Sequence, residues 1–326
     1  MPAGVATMLL AAVFSGGIFR YSCFAGRNAD LFRLCCAWAG NKINIVNYKN
    51  LRISANLLSG AKLNIAQVNS VALHYRLSGP EQAPALVFSN SLGTDFRIWD
   101  AVEAALCDRY RMLCYDKRGH GLSDGPESGW GMRDNVHDLA ALMDHLGLKS
   151  AAVCGLSVGG LIAQGLAAER PDLVNLLILS DTAAKIGSPD MWAKRIAQVR
   201  QGGIGSIAED ILQRWFAPDY IASAPDFPMY RNMLIRTPVH GYATTCECIA
   251  DTDLFESTSA LHLPALAIVG DKDGATPPDL VRETAELIDG CRFEVIRGAG
   301  HLPCVEKPEV VVSLLTEFMT ENGHGA

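Results

Sequence analysis

From Leu63 onward the chain alternates short apolar runs with longer stretches of helical periodicity. "SVALHYRLSG" alternates apolar and polar positions, as a strand with one buried face does. "ALVFSNSL" (85–92), "YRMLCYD" (110–116), "SAAVCGLS" (150–157), "VNLLILSD" (174–181) and "PALAIVGDKD" (264–273) are apolar runs that end in small or polar residues, and "CRFEVIRGAGH" (291–301) is a more mixed run of the same kind. Runs like these read as buried parallel strands joined by helical crossovers. Between them, Arg133–Leu146 puts Val136, Leu139, Ala140 and Met143 on one face, and Val158–Glu169 is rich in small residues and stops at Pro171. Pro278–Ile288 opens with proline, and Pro308–Met319 closes the fold. The pattern predicts an α/β fold, a mostly parallel central sheet with helices on both faces.

One interval breaks the alternation. Between Asp181 and Pro264, stretches such as "PDMWAKRIAQVRQGG" and "SIAEDILQRWF" are helical in pattern, with no convincing strand. An all-helical insertion after the sixth strand would sit above the carboxyl ends of the strands, where open α/β sheets bind ligands. The expected partition is a core of 63–181 and 264–320, a helical cap of 182–263 and a C-terminal tail of 321–326.

The first 62 residues look like a different polypeptide. They hold seven Lys/Arg against the single acid Asp30, whereas the rest of the chain has 21 basic and 34 acidic residues. "VATMLLAAVFSGGIF" (5–19) carries no charge, but it is shorter than the roughly 20 apolar residues a membrane span needs. It also lacks the basic n-region and small-residue exit of a secretory signal. No methionine falls between Met8 and Met112, so a start nearer the domain would need another codon, near 62–68. The expectation is an extension outside the enzyme-like domain, with targeting or membrane attachment as the alternative.

Composition narrows the function classes. The chain is 49% hydrophobic and 19% charged, with a net charge of −7 and no basic tract to track a phosphate backbone, so nucleic acid is excluded as a partner. The ten cysteines form no CxxC pair, and Cys114 and Cys154 lie inside apolar runs. That usage predicts reduced thiols in a cytoplasm.

The chemistry gathers at strand ends. Gly155-x-Ser157-x-Gly159 has a strand before it and a helix after it, the context of a nucleophile elbow. Taken alone, the serine reads equally well as a helix N-cap. Asp273 follows a later strand, and His301 follows the next one in a small-residue loop. Ser, Asp and His thus come in the order expected of an α/β-hydrolase triad, with Asp271 as the rival acid. His301 would serve Ser157 as base, and Asp273 would orient the imidazole. The backbone N–H groups of Val158 and Leu92 are the expected oxyanion donors. "DKRGHGLSD" (116–124) lacks the spacing of a phosphate loop and reads as an ordered turn that braces the elbow, with His120 structural. His137 and His145 share a helix without matching carboxylates, and Cys246 and Cys248 are too close together for a zinc knuckle, so no metal site is expected.

These residues resemble the α/β-hydrolase superfamily over about 64–320. Within it, "FSNSLGTDFRIWD" (88–100), "YDKRGHGLSD", "CGLSVGG", "SDTAAKIG" (180–187) and "RWF" (214–216) resemble the 3-oxoadipate enol-lactonases of aromatic catabolism. The resemblance implies hydrolysis of a small anionic lactone with no metal or organic cofactor. It implies a cation or several amide donors for the substrate carboxylate, with Arg195 and Arg214 as candidates, Trp192 and Trp215 as apolar walls, and Ser91 at the substrate. "PESGWGM" (126–132) departs from the family's loop. A carboxylesterase, another lactonase or a perhydrolase-like enzyme would carry the same triad, as would a hydrolase-fold binding protein or lyase.

Overall fold

The computed structural model describes residues 63–325, together with the backbone of four strands nearer the N-terminus. Those four, β1 (Leu9–Ser15), β2 (Ile18–Phe24), β3 (Phe32–Trp38) and β4 (Ile43–Ile45), pair in sequence as an antiparallel sheet in the unit Met1–Gly60. The remainder of 1–62 lies outside the described residues, as does the question of where translation starts.

The second unit, Ala61–Ala326, is built on an eight-stranded sheet. Its strands are β5 (Leu63–Val68), β6 (Val71–Ser78), β7 (Ala85–Ser89), β8 (Arg111–Tyr115), β9 (Ala151–Leu156), β10 (Val174–Ser180), β11 (Ala265–Gly270) and β12 (Arg292–Ile296), in the order β12-β11-β10-β9-β7-β8-β6-β5. All pairings from β12 to β8 are parallel, and β6 and β5 are antiparallel. The β5 strand had no counterpart in the sequence pattern. It forms a hairpin with β6 through Asn69 and Ser70, both at positive φ, the backbone a two-residue hairpin turn demands.

Strand alternation sends neighbouring side chains to opposite faces, and two cores result. Leu86, Phe88, Cys154, Ile178 and Ile268 join one, which also takes in α1 (Asp100–Leu106) and α12 (Pro308–Glu321). Val87, Val153, Leu177 and Ala267 join the other, under α2 (Met132–His145), α3 (Val158–Glu169) and α10 (Pro278–Ala285). Every residue of β7, β9 and β11 is buried, which is why these strands read as continuous apolar runs.

Between β10 and β11 the chain is helical throughout. It runs through α4 (Pro189–Gly202), α5 (Ala208–Trp215), α6 (Pro218–Ser223), α7 (Phe227–Ile235), α8 (Val239–Ala250) and α9 (Phe255–Ser259). The short α11 (Pro303–Glu306) precedes α12. Beyond Glu321, His324 is buried, donates from Nε2 to Ala85 O at 2.8 Å and accepts from Asn175 Nδ2 at 3.1 Å. Among the described residues, no helix is long and apolar enough to cross a membrane, and all seven cysteines are free.

Candidate active site

Ser157 follows β9 directly and caps α3 with φ 58° and ψ −119°, a positive-φ backbone that glycine adopts far more readily. The surroundings hold it there. Its N–H donates to Ser180 O at 3.0 Å, and its carbonyl accepts from Thr182 Oγ1 at 2.6 Å. The flanking glycines are required by contact: a Cβ on Gly155 would lie 2.2 Å from Gly159 O, and one on Gly159 would lie 2.2 Å from Ser89 O. The turn therefore packs against the end of β7.

Two other strand ends carry the expected acid and base. Asp273 closes a turn after β11, where its Oδ1 accepts from Ala275 N (2.7 Å) and Thr276 N (3.0 Å) and its Oδ2 accepts from Thr276 Oγ1 (2.7 Å). His301, after β12, donates from Nδ1 to Asp273 Oδ2 at 2.8 Å, and both side chains are almost fully buried. Burial alone would raise the Asp273 carboxyl; the His301 imidazole and the Thr276 bonds outweigh it and hold the group below its ordinary value. A proton on Nδ1 leaves Nε2 free to accept, and Nε2 faces Ser91 Oγ at 3.5 Å. The Ser157 hydroxyl has no hydrogen-bond partner among the described residues. Such contacts often tighten only around a substrate. Asp271 has a different task, with its Oδ1 accepting from Gly298 N at 2.7 Å in the turn after β12.

A second acid completes this row, and the sequence pattern had passed over it. Asp181, at the end of β10, is fully buried at φ 47° and accepts from Gly270 N (2.9 Å) and Ser180 Oγ (2.7 Å). Burial first, and then the charge of Asp273, pushes its carboxyl well above the ordinary value. Asp181, Asp273 and His301 bring potential metal-ligating atoms within 4.8 Å of one another. Each of the four carboxyl oxygens already accepts a hydrogen bond from the chain.

The loop after β7 carries the other expected donor. Leu92 and Val158 are buried, and neither main-chain N–H donates to a chain acceptor among the described residues. Buried amides are almost always paired, so two open ones are candidates to receive an anion. The "DKRGHG" turn braces this loop rather than the elbow. Asp116 Oδ1 accepts from Phe96 N (2.9 Å), His120 Nε2 accepts from Gly93 N (3.0 Å), and Lys117 Nζ donates to Ser91 O (2.5 Å). His120 is fully buried; burial, then Lys117 nearby, drives its pKa well below the ordinary value and keeps it neutral.

The cap residues separate into distinct roles. Trp215 lies over the β7 loop, since a Cβ on Gly93 would come 3.4 Å from its ring, and Tyr242 flanks the same glycine. Trp192 is committed to the cap interior, where its Nε1 donates to Ile186 O at 2.7 Å. Arg195 is half-buried, with its guanidinium 4.8 Å from the Trp192 ring centroid. Tyr242 is a residue that sequence reasoning missed. Its hydroxyl is buried without a hydrogen-bond partner, raised by burial and drawn back by Arg195 nearby. Arg214 is exposed, and it acts through its carbonyl, which accepts from Gly274 N at 3.1 Å. Arg195 and Arg214 also line a cleft of about 350 Å³ in the cap, together with Ser188, Asp190, Lys194 and Asp210, and neither Ser157, Asp273 nor His301 is in its lining.

A strained serine at a strand–helix turn, a buried Asp–His pair on later strands and a helical cap define a class. The chain belongs to the alpha/beta hydrolase fold family, which residues 84–308 match. It is 37% identical over 240 residues to 3-oxoadipate enol-lactonase 2 of Acinetobacter baylyi, covering 73% of this chain and 90% of that protein. Among solved structures it is similar to the enol-lactonase of Burkholderia xenovorans LB400, with 38% identity, a TM-score of 0.76, and coverage of 79% of this chain and all of that one. A thermophilic esterase from Thermogutta terrifontis, solved with malate bound, is 31% identical at a TM-score of 0.74, covering 80% of this chain and 99% of the other.

Proposed function

We propose that this hydrolase opens 3-oxoadipate enol-lactone to 3-oxoadipate through an acyl-enzyme on Ser157. The reading is carried by the buried 2.8 Å bond between His301 Nδ1 and Asp273 Oδ2, at the same end of the sheet as the Ser157 turn. Ser157 attacks the ring carbonyl while His301 Nε2 takes its proton, and Asp273 stabilises the imidazolium. The carbonyl oxygen, now an anion, is received by the Leu92 and Val158 amides. His301 then protonates the departing enol oxygen, a weaker base than an alkoxide, and the opened chain stays attached as the acyl-enzyme. Water activated by His301 releases the acid, and the enol tautomerises to the ketone. No step calls for a metal or organic cofactor.

The choice of lactone is supported by the two similar enol-lactonases and by the cap. The substrate carries a free carboxylate. Arg195 with the unpartnered Tyr242 hydroxyl, beside the ring that flanks Gly93, offers a cation and a donor for it. The test is turnover of purified 3-oxoadipate enol-lactone beside a neutral aryl ester, by wild type and Ser157→Ala. A strong preference for the lactone, abolished by the substitution, is expected. A preference for the ester would make the protein an esterase of the same fold, and equal slow opening by both proteins would end the serine-nucleophile reading.

A further inference from the structure

Lys117 is a lysine with almost no exposed surface, a costly arrangement for an ammonium group unless its place has a use. Burial brings it down to about 7, against the pull of Asp116 and Asp95. It follows β8, the neighbour of β7 in the sheet, and its Nζ reaches across to the β7 loop. There it donates to Ser91 O at 2.5 Å and lies 3.5 Å from Thr94 O. Ser91 O also accepts from Thr94 Oγ1 (2.9 Å) and Thr94 N (3.3 Å). The identity of that carbonyl matters. Ser91 C=O and Leu92 N–H belong to one peptide unit, which is planar and trans, so fixing the oxygen fixes the direction of the hydrogen on the opposite side. A donor on the oxygen also withdraws electron density through the amide and makes the N–H a stronger donor.

We infer that Lys117 is a positioning residue for the oxyanion site, aiming and polarising the Leu92 amide by holding the Ser91 carbonyl. It touches no substrate. Its role differs from the bracing bonds at Gly93 and Phe96, which fix the loop but not this peptide plane. The inference rests on the Ser157 acyl-enzyme reading, and the experiment distinguishes the two.

The readout is the preference for an aryl ester over its thionoester, because a thiocarbonyl sulfur accepts hydrogen bonds poorly and gains little from an oxyanion donor. In the wild type the oxygen ester should react about 10²–10³-fold faster. Lys117→Met should shrink that ratio about tenfold through kcat, with KM within about twofold, and Lys117→Gln, which keeps an N–H donor, should restore part of it. A merely structural lysine would lower both rates together and leave the ratio unchanged, which would overturn the inference. Should neither variant fold, the wild type still decides: the Leu92 amide-proton shift in an NMR titration must follow the Lys117 amine. A Leu92 resonance indifferent to that titration would overturn the inference equally. If Ser157→Ala retains full turnover, the acyl-enzyme reading falls instead, whatever the Lys117 variants do.

Discussion

The main-chain N–H of His301 donates to the carbonyl of Trp215 at 2.7 Å. Trp215 is the last residue of α5 in the cap, so the base loop hangs directly from the cap. Glu306 ties the same two pieces again, accepting from Ala217 N (2.9 Å) and Gly300 N (2.7 Å).

Burial holds the Glu306 carboxyl up at about 7, against 4.5 ordinarily, despite those two donors. Between these values the folded protein binds more protons than the unfolded chain, so this group's contribution to stability is present below 4.5 and declines as pH rises through 7. Melting temperatures of wild type and Glu306→Gln at pH 5, 6 and 7 should show the wild type losing ground to the variant as pH increases. Parallel curves would reject the assignment.

The two candidate acids should separate cleanly. Asp273→Asn removes the charge that holds the His301 tautomer and should lower kcat about 10³–10⁴-fold. Asp271→Asn disturbs the bond to Gly298 and the ion pair with Lys272 and should stay within about threefold of wild type while melting earlier. Comparable losses of kcat in both variants would contradict the division of roles.

Arg195→Met and Tyr242→Phe test the carboxylate subsite. Loss of a charge-assisted hydrogen bond costs about 1.5–3 kcal/mol, so KM for the anionic lactone should rise about 10–100-fold in Arg195→Met and less in Tyr242→Phe. KM for a neutral ester should hardly move. An equal rise for both substrates would mean that the cap had been damaged and no carboxylate contact removed.

Gly159→Ala should fail structurally before it fails chemically. The added methyl would lie 2.2 Å from the Ser89 carbonyl, so the elbow and β7 must part. The expected loss is on the order of 3 kcal/mol or more, read by calorimetry. A wild-type melting temperature would show that the close approach is not needed.

Much of this architecture was legible because β7, β9 and β11 are buried on both faces and the proposed triad residues sit at strand ends, where the chain shifts from apolar to small or polar. The β5 strand escaped notice because "LNIAQV" places exposed Ile65 at a sheet edge and has no continuous apolar run. Arg214 was expected to face the substrate, but an exposed position at the end of α5 leaves its backbone, not its charge, at the Asp273 turn. Asp181, Lys117 and Tyr242 were invisible for a shared reason. Each matters through what long-range folding brings beside it, and no local spacing encodes a partner ninety residues away, as Gly270 nearly is from Asp181.

The backbone of Ser157 carries one further consequence. Its φ of 58° suits glycine, so the residue proposed to perform the chemistry is not the residue the turn would choose. Ser157→Gly should give an inert protein that melts higher, by up to about 1–3 kcal/mol of relieved strain. Selection for thermal robustness alone would erase the enzyme at its first step, and a homologue carrying glycine here would be a durable scaffold with its catalysis gone.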